Sequence, residues 1–188
     1  MSSGTEHEDR FRRVYAVNFA PLLAYATRRV AQPEDAADVV AETFLVAWRR
    51  SRDMPPEAEA RLWLYGVARR VLANHHRGGA RRERLGDRLR QRLGMAAAVD
   101  PGSEVPERLT VRAALAQLGE LDREVLMLTF WERLEPREVA EVLQVNPAAV
   151  RTRLSRARAR LRNLIGDGDG PPGHVLGVMA VRTSEEGR

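Results

Sequence analysis

The sequence predicts an all-α protein made of two small helical domains joined by a flexible linker. Apolar residues recur at three- and four-residue steps through most of the chain, which is the spacing of amphipathic helices, and no segment alternates like a strand. A hydrophobic content of 44% is sufficient for folded cores. An arginine-rich and then turn-prone stretch interrupts the helical pattern and is typical of a linker.

These patterns divide the 188 residues into five segments. They are a flexible N-terminus over 1–10, a helical domain over 11–79, a linker over 80–106, a second helical domain over 107–165 and a flexible tail over 166–188. The tail is rich in glycine and proline. Its short apolar stretch, HVLGVMAV, leaves a regulatory or proteolytic role open beside that of a simple flexible end.

The composition excludes several classes of protein. Without cysteine, the chain has no disulfides and no cysteine-based zinc site. The N-terminus lacks the apolar core of a signal peptide, and no apolar run approaches the ~20 residues that span a bilayer, so we expect a cytoplasmic protein without membrane insertion. No catalytic constellation or cofactor motif is present, and the adjacent pair His75-His76 is not expected to bind metal.

Three helices are predicted in the first domain. The first contains Phe11, Tyr15 and Phe19, with Pro21 as a break or kink. The second begins at Pro33, where proline and acids suit a first turn, and ends near Arg50. A loop with two prolines follows over 51–60. The third helix then runs from about residue 60 to the Gly78-Gly79 pair, which is predicted to end it.

The large aromatic residues of these helices are assigned from their neighbours. Phe44 and Trp48 lie among apolar residues and are predicted to be in the core. Trp63 lies between Leu62 and Leu64, so a core position is favoured, although stacking on a nucleic-acid base stays open.

The second domain contains a predicted helix-turn-helix. A short helix over 135–143 is followed by a tight connection at Gln144-Val145. Asn146 is a favourable N-cap, and Pro147 suits the first position of the next helix. Two short helices joined by such a turn, with the second one basic, are typical of a DNA-binding motif.

The second of these helices separates into faces. An apolar stripe is predicted to pack inward and consists of Val150, Leu154, Ala157, Leu161 and Leu164. The opposite side carries Arg151, Thr152, Ser155 and Arg156, and further arginines at 158, 160 and 162 suit phosphates. A solvated basic surface is the alternative, but no acid lies between residues 146 and 162 to compensate the repulsion. DNA binding is therefore favoured.

Charge is distributed unevenly in the first domain. Residues 31–60 contain seven acids and three arginines, whereas residues 61–92 contain ten arginines and two acids. This contrast predicts separate surfaces for separate partners.

Two parts of the chain resemble one protein family. The strings DAADVVAETFLVAW (35–48) and RLWLYGVARRVL (61–72) are similar to regions 2.2 to 2.4 of the extracytoplasmic-function (ECF) sigma factors of bacterial RNA polymerase. The string LDREVLMLTFWERLEPREVAEVLQVNPAAVRTRLSRARARLR resembles region 4 of the same family. Both matches occur in the expected order, which makes the resemblance specific.

The resemblance implies a sigma factor that binds core polymerase through the β′ clamp helices and the β flap, recognises promoter DNA and is controlled by an anti-sigma factor. The implied polymerase-binding residues are Asp35, Asp38, Glu42 and Leu45. Residues implied at the promoter −10 element are Arg61, Trp63, Arg69, Arg70, Asn74 and Arg77, with the loop over 51–59 as a pocket for an unstacked base. Those implied at the −35 element are Arg151, Thr152, Ser155, Arg156, Arg158 and Arg160.

The alternative function is a free-standing helix-turn-helix regulator that binds operators without polymerase. Its first domain would then dimerise or sense a signal. An acidic helix followed by a basic, tryptophan-bearing helix argues against this alternative, because a sensor requires neither. Neither function requires an enzyme activity.

Overall fold

The protein is all-helical in the computed structural model, which describes residues 2–93 and 106–165. Its helices there are α1 (Ser2–Thr27), α2 (Pro33–Arg49), α3 (Glu57–Leu93), α4 (Pro106–Ala116), α5 (Glu120–Phe130), α6 (Pro136–Leu143) and α7 (Pro147–Ile165), with a 3₁₀ turn at Ser51–Asp53. The chain divides into two compact units, with the division between positions 101 and 102. The prediction of an all-α fold with two helical parts is confirmed.

The N-terminal unit is a three-helix assembly in which α1, α2 and α3 each pack against the other two. Its largest fully buried side chains are Leu22, Tyr25, Val39, Leu64 and Tyr65. The rings of Tyr25 on α1 and Tyr65 on α3 lie 5.0 Å apart between centroids. Burying aromatic rings of this size contributes strongly to a small core.

Helix α1 is longer and more continuous than the sequence suggested. It begins at Ser2, where a flexible segment was expected over 1–10, and it continues through Pro21 without a break. Proline removes one helical hydrogen bond, but the helix is held on both sides of it by the buried Val14 and Leu22. The early turns are tied down by contacts between helices, which composition alone does not reveal.

Helix α3 also exceeds its expected length. Gly78-Gly79 was predicted to end it, yet the helix runs on to Leu93. Each glycine in a helix interior costs about 1 kcal/mol relative to alanine, and the arginine-rich segment that follows consists mainly of good helix formers. Part of the predicted linker is therefore helical. Its section over 94–105 and the tail over 166–188 lie outside the described residues.

The C-terminal unit is arranged around α7, which packs against α4, α5 and α6. Its core is mainly apolar, although Glu132 is also buried, and its largest fully buried side chains are Val125, Leu126, Leu128, Val139 and Val150. Across residues 2–93 and 106–165, no helix combines the length and the apolar character needed to cross a membrane.

Candidate nucleic-acid and partner interfaces

The connection between α6 and α7 is a Schellman turn. Gln144 adopts a left-handed backbone conformation with φ 57° and ψ 46°. The amide of Val145 donates to the carbonyl of Ala140 at 3.0 Å, and the amide of Gln144 donates to that of Glu141 at 3.2 Å. A non-glycine residue in the left-handed conformation costs about 1–2 kcal/mol. The two hydrogen bonds of the turn therefore hold Gln144 in a locally strained conformation.

Both helices of the motif begin with capping contacts. Asn146 Oδ1 accepts a hydrogen bond of 2.8 Å from the amide of Ala148, as the N-cap prediction required. At the start of α6, the Glu138 carboxylate accepts a 2.7 Å bond from the amide of Glu135. These bonds fix the starting point, and therefore the rotation, of α7 relative to α6.

The inward face of α7 contains four of the five predicted residues: Val150, Leu154, Ala157 and Leu161 are buried. Leu164 was also predicted to be buried, but it is 37% exposed. Burial on this face stops at Leu161, which is 4% exposed, so the last turn of α7 lies beyond the buried seam. The prediction for Leu164 was wrong for that reason.

The outward face of α7 is exposed along its N-terminal half. It presents Arg151, Thr152, Ser155 and Arg156. Thr152 Oγ1 donates to the carbonyl of Ala148 at 3.1 Å, which leaves its oxygen lone pairs toward solvent. Two guanidinium groups beside two hydroxyl groups match the hydrogen-bonding edges of bases in a major groove.

The arginines at the edges of α7 differ in their surroundings. Arg158 lies over the ring of Phe130 on α5, at 5.0 Å from the centroid, while Arg160 is exposed. Arg153, by contrast, is partly buried, and its Nη1 lies 2.9 Å from Asp122 Oδ1 on α5. The acid missing from α7 itself is thus supplied by a neighbouring helix. Arg153 joins helices, and the other arginines stay available to a partner.

A second exposed face lies on α2. Asp38, Glu42 and Leu45 all face solvent, and Leu45 is 40% exposed. Asp35 lies near the start of the same helix, and its Oδ1 is 3.2 Å from Nε2 of His75 on α3. The three exposed residues form a surface that is acidic with an apolar edge, while Asp35 also connects α2 to α3.

Trp48 does not lie in the core as predicted, because 43% of its surface is exposed. Phe44, in contrast, is buried as predicted. The Trp48 ring packs edge-on against Phe11 of α1, with 5.0 Å between centroids, and 5.5 Å separates it from the His7 ring. Only one side of the indole is therefore covered. Its position three residues after Leu45 adds it to the apolar edge of the α2 face, and helical spacing is the sequence signal for this placement.

The residues suggested for α3 do not all share one face. At about 100° per residue, Trp63, Arg70, Asn74 and Arg77 fall on the same side of the helix, whereas Arg61 and Arg69 are turned away from them. Trp63 is half-buried, while the three polar residues beside it are exposed. Arg77 Nη2 donates to Asn74 Oδ1, so the end of this face is internally ordered.

Arg61 lies on another side of α3, with its guanidinium 5.6 Å from the centre of the Tyr65 ring. Cation–π contacts of this kind orient arginine on the surface. The structure therefore brings four of the six suggested residues together and leaves Arg61 and Arg69 apart from them.

The loop between α2 and α3 is fixed by residues of α1 that sequence reasoning missed. Arg10 Nη2 donates to the carbonyl oxygens of Met54, at 2.7 Å, and of Pro55. Arg13 donates to Glu57 Oε1 through Nε at 3.0 Å and Nη2 at 2.8 Å. That hydrogen bond lowers the pKa of Glu57 and raises the pKa of Arg13. These partners are 44 or 45 residues apart, beyond the reach of any local sequence pattern.

No metal site emerges from the part of the chain that the structure describes, since no three of its histidine, aspartate or glutamate residues are grouped to hold an ion. His75 and His76 lie with their rings 6.1 Å apart, and His75 is directed to Asp35. The arrangement presents binding surfaces on three helices: the outward face of α7, the acidic face of α2 and the polar face of α3.

Two family models match the chain in the order of these surfaces. Residues 14–82 match sigma-70 region 2, and residues 108–161 match sigma-70 region 4. The chain is also similar to the RNA polymerase sigma factor CnrH of Cupriavidus metallidurans, with 36% identity over 76% of this chain and 80% of the relative. It is 30% identical to the ECF RNA polymerase sigma factor SigL of Mycobacterium tuberculosis, over 80% of this chain and 86% of the relative.

Solved structures agree with the fold. The structure of CnrH in complex with the cytosolic domain of CnrY superposes with a TM-score of 0.61 and 27% identity, covering 85% of this chain and 89% of that one. The sigma factor RpoE bound to the anti-sigma factor NepR, from Bartonella quintana, gives a TM-score of 0.65 at 21% identity over 85% and 98% of the two chains. The second likeness concerns the fold alone.

Proposed function

The chain belongs to the ECF sigma factors of the sigma-70 family, and from this premise we propose which partner each exposed face binds during transcription initiation. It binds core RNA polymerase, recognises promoter −10 and −35 elements and directs initiation. The observation that supports this function best is the presence, in one chain, of a basic outward helix in a helix-turn-helix and a separate acidic face on α2. A DNA-binding regulator requires only the first.

The outward face of α7 is assigned to the −35 element. Arg151, Thr152, Ser155 and Arg156 would contact bases, because they are exposed along the half of the helix that enters a major groove in such motifs. Arg158 and Arg160 would contact phosphates, which fix the register of the helix and make binding depend on salt.

The polar face of α3 is assigned to the −10 element. Arg70, Asn74 and Arg77 would follow the backbone of the opened strand, and the half-buried Trp63 would offer the exposed part of its indole to a base. Arg61 and Arg69 lie on other sides of α3, so they would contact DNA only where the duplex curves around that helix. The segment over 51–59, whose last three residues form the start of α3, would receive an unstacked base.

The α2 face is assigned to the polymerase. Asp38 and Glu42 would pair with basic side chains of the β′ clamp helices, and Leu45 with the exposed part of Trp48 would supply apolar contact. Asp35 would contribute less to polymerase binding, because its carboxylate also contacts His75. The C-terminal unit would additionally meet the β flap.

An anti-sigma factor would control the protein by covering these faces, as such partners bind the similar sigma factors of known structure. The protein would act in the cytoplasm, where polymerase and chromosome are found. Bond formation would belong to the polymerase, and this chain would supply only recognition.

Run-off transcription with purified core polymerase on a pool of candidate promoters tests the function. The wild-type protein should bind core and direct initiation from a subset of the pool. Asp38→Ala should weaken core binding by about fivefold to tenfold, since one charge pair at an interface edge is lost, without weakening contacts to promoter DNA. Specific binding to promoters by the free protein, with no binding to core, would instead identify a free-standing regulator.

A further inference from the structure

The segment between α2 and α3 is held in one conformation by contacts from three directions. Arg50 and Asp53 form an ion pair of 3.0 Å across the 3₁₀ turn. The Met54 side chain is buried in the core of the N-terminal unit. From the other side, α1 supplies Arg10 to the Met54 and Pro55 carbonyls. The exposed residues of the loop therefore belong to a backbone that is held in one conformation.

The contact from Arg10 is made to the backbone of the loop. One guanidinium nitrogen donates to two consecutive carbonyl groups that lie outside regular helix hydrogen bonding. Backbone carbonyls near a core require a partner, and leaving one unsatisfied costs about 1–3 kcal/mol. The arginine therefore favours one backbone path at the point where the chain turns into α3.

The loop leads directly into α3, the helix that carries the polar face. Arg52 and Asp53 face solvent, and Pro56 leads directly into the first turn of α3. A base captured from an opened strand must meet a pocket of defined shape, and a loop already held in its binding conformation loses less entropy on capture. Anchoring by α1 would therefore influence base capture without any contact between Arg10 and DNA.

We propose that Arg10 is a positioning residue for −10 recognition, which holds the 51–56 loop in the conformation that captures an unstacked base. This inference rests on the proposed function of that loop. It assigns to α1, a helix otherwise concerned with packing, a part in promoter specificity. Arg13 supports the same arrangement from the next turn of α1 through its pair with Glu57.

The test compares Arg10→Ala with Arg12→Ala. Arg12 lies on the same helix, and its Nη2 contacts Glu8 at 2.6 Å, so the control removes an equal charge without touching the loop. Each variant is assayed with core polymerase on promoters whose −10 element is randomised. Arg10→Ala should reduce enrichment of the preferred −10 bases by about fivefold, corresponding to about 1 kcal/mol, and Arg12→Ala should leave it unchanged.

Core affinity and use of the −35 element provide the further readouts. Both should stay at the wild-type level in Arg10→Ala, because a positioning role changes base discrimination and not docking. Arg10→Lys should recover part of the discrimination, since an ammonium group can also donate to the two carbonyls.

Equal behaviour of Arg10→Ala and Arg12→Ala would overturn the inference. So would an equal loss on all −10 sequences with no change in their ranking, because that result indicates a general structural role. If the wild-type protein itself fails to bind core and initiate, the proposed function fails, and this outcome is distinguishable because it precedes any comparison of variants.

Discussion

The two units of the molecule build their binding surfaces differently. In the C-terminal unit, a single helix carries both the seam that packs inward and the face that points outward, and the helices around it hold its rotation. In the N-terminal unit, the surfaces are distributed over α2, α3 and the loop between them, and α1 fixes that loop from outside. The exposed surface lies on one regular helix in the C-terminal unit and on two helices and a loop in the N-terminal unit.

This difference affects how each unit responds to substitution. On α7 the consequences of a change follow from which side of the helix it lies on, since buried and exposed positions alternate with a regular period. In the N-terminal unit, a residue far from a surface in sequence can alter its shape. Arg10, for example, donates to the backbone of a loop 44 residues away.

The largest expected effect tests whether the units are independent. Val150 is fully buried on the inward face of α7, so Val150→Asp places an unpaired carboxylate in the C-terminal core. The cost should be about 4 kcal/mol or more, which approaches the whole stability of a small domain. We expect amide NMR signals of α4–α7 to collapse to unfolded positions while those of α1–α3 stay dispersed.

Thr152→Asp is the matched control for this substitution. It introduces the same carboxylate two residues later on the exposed side of α7, and the signals of both units should stay dispersed. Collapse of the α1–α3 signals together with those of α4–α7 in Val150→Asp would show that the two units fold as one cooperative structure. The two units would then not be independent in folding.

The same contrast explains what could be predicted from the sequence. The periodicity of α7 and the capping residue Asn146 correctly predicted this helix, its start and four of the five residues of its inward face. Local patterns failed where contacts distant in sequence decide the outcome. Trp48 was assigned to the core because its neighbours are apolar, but α1 covers only one side of it.

Helix ends show the same limit. The Gly78-Gly79 pair indicated a stop by local preference, and α3 continues beyond it. The division of the α3 residues into two sides, by contrast, follows from their spacing alone, because all six lie within the helix predicted from the sequence. The pairing of Arg153 with Asp122 depends on how α5 and α7 cross, which the sequence of either helix does not contain.

An intermediate effect should separate two arginines that are near neighbours on α7. Arg156→Ala removes an exposed group from the outward face and should weaken recognition of the −35 element by about 1–3 kcal/mol if it contacts a base. Arg153→Ala removes the partly exposed pair with Asp122, so it should lower the stability of the C-terminal unit by about 1 kcal/mol or less. Promoter titrations and thermal unfolding measure the two quantities.

The pattern of results from these two variants decides the face assignment. Arg156→Ala should leave the unfolding midpoint and core binding unchanged, and Arg153→Ala should retain the preference among −35 sequences. A loss of −35 preference in Arg153→Ala equal to that in Arg156→Ala would contradict the division of α7 into a joining side and a reading side.

The smallest expected effect concerns pH and the Arg13–Glu57 pair of the N-terminal unit. Its hydrogen bond from Arg13 lowers the Glu57 pKa from the ordinary value of 4.5, so folding favours the ionised carboxylate. The stabilisation is therefore fully present above about pH 4.5 and is lost as the pH falls through the lowered pKa. Thermal unfolding of wild type and Glu57→Gln should differ at pH 6, and the two midpoints should converge towards pH 3.

Glu59→Gln removes a carboxylate two residues later without touching this pair, and serves as the control. A difference between wild type and Glu57→Gln that stays constant over this range would show that the ionised pair does not stabilise the anchor of the loop, and Arg10 alone would then account for it.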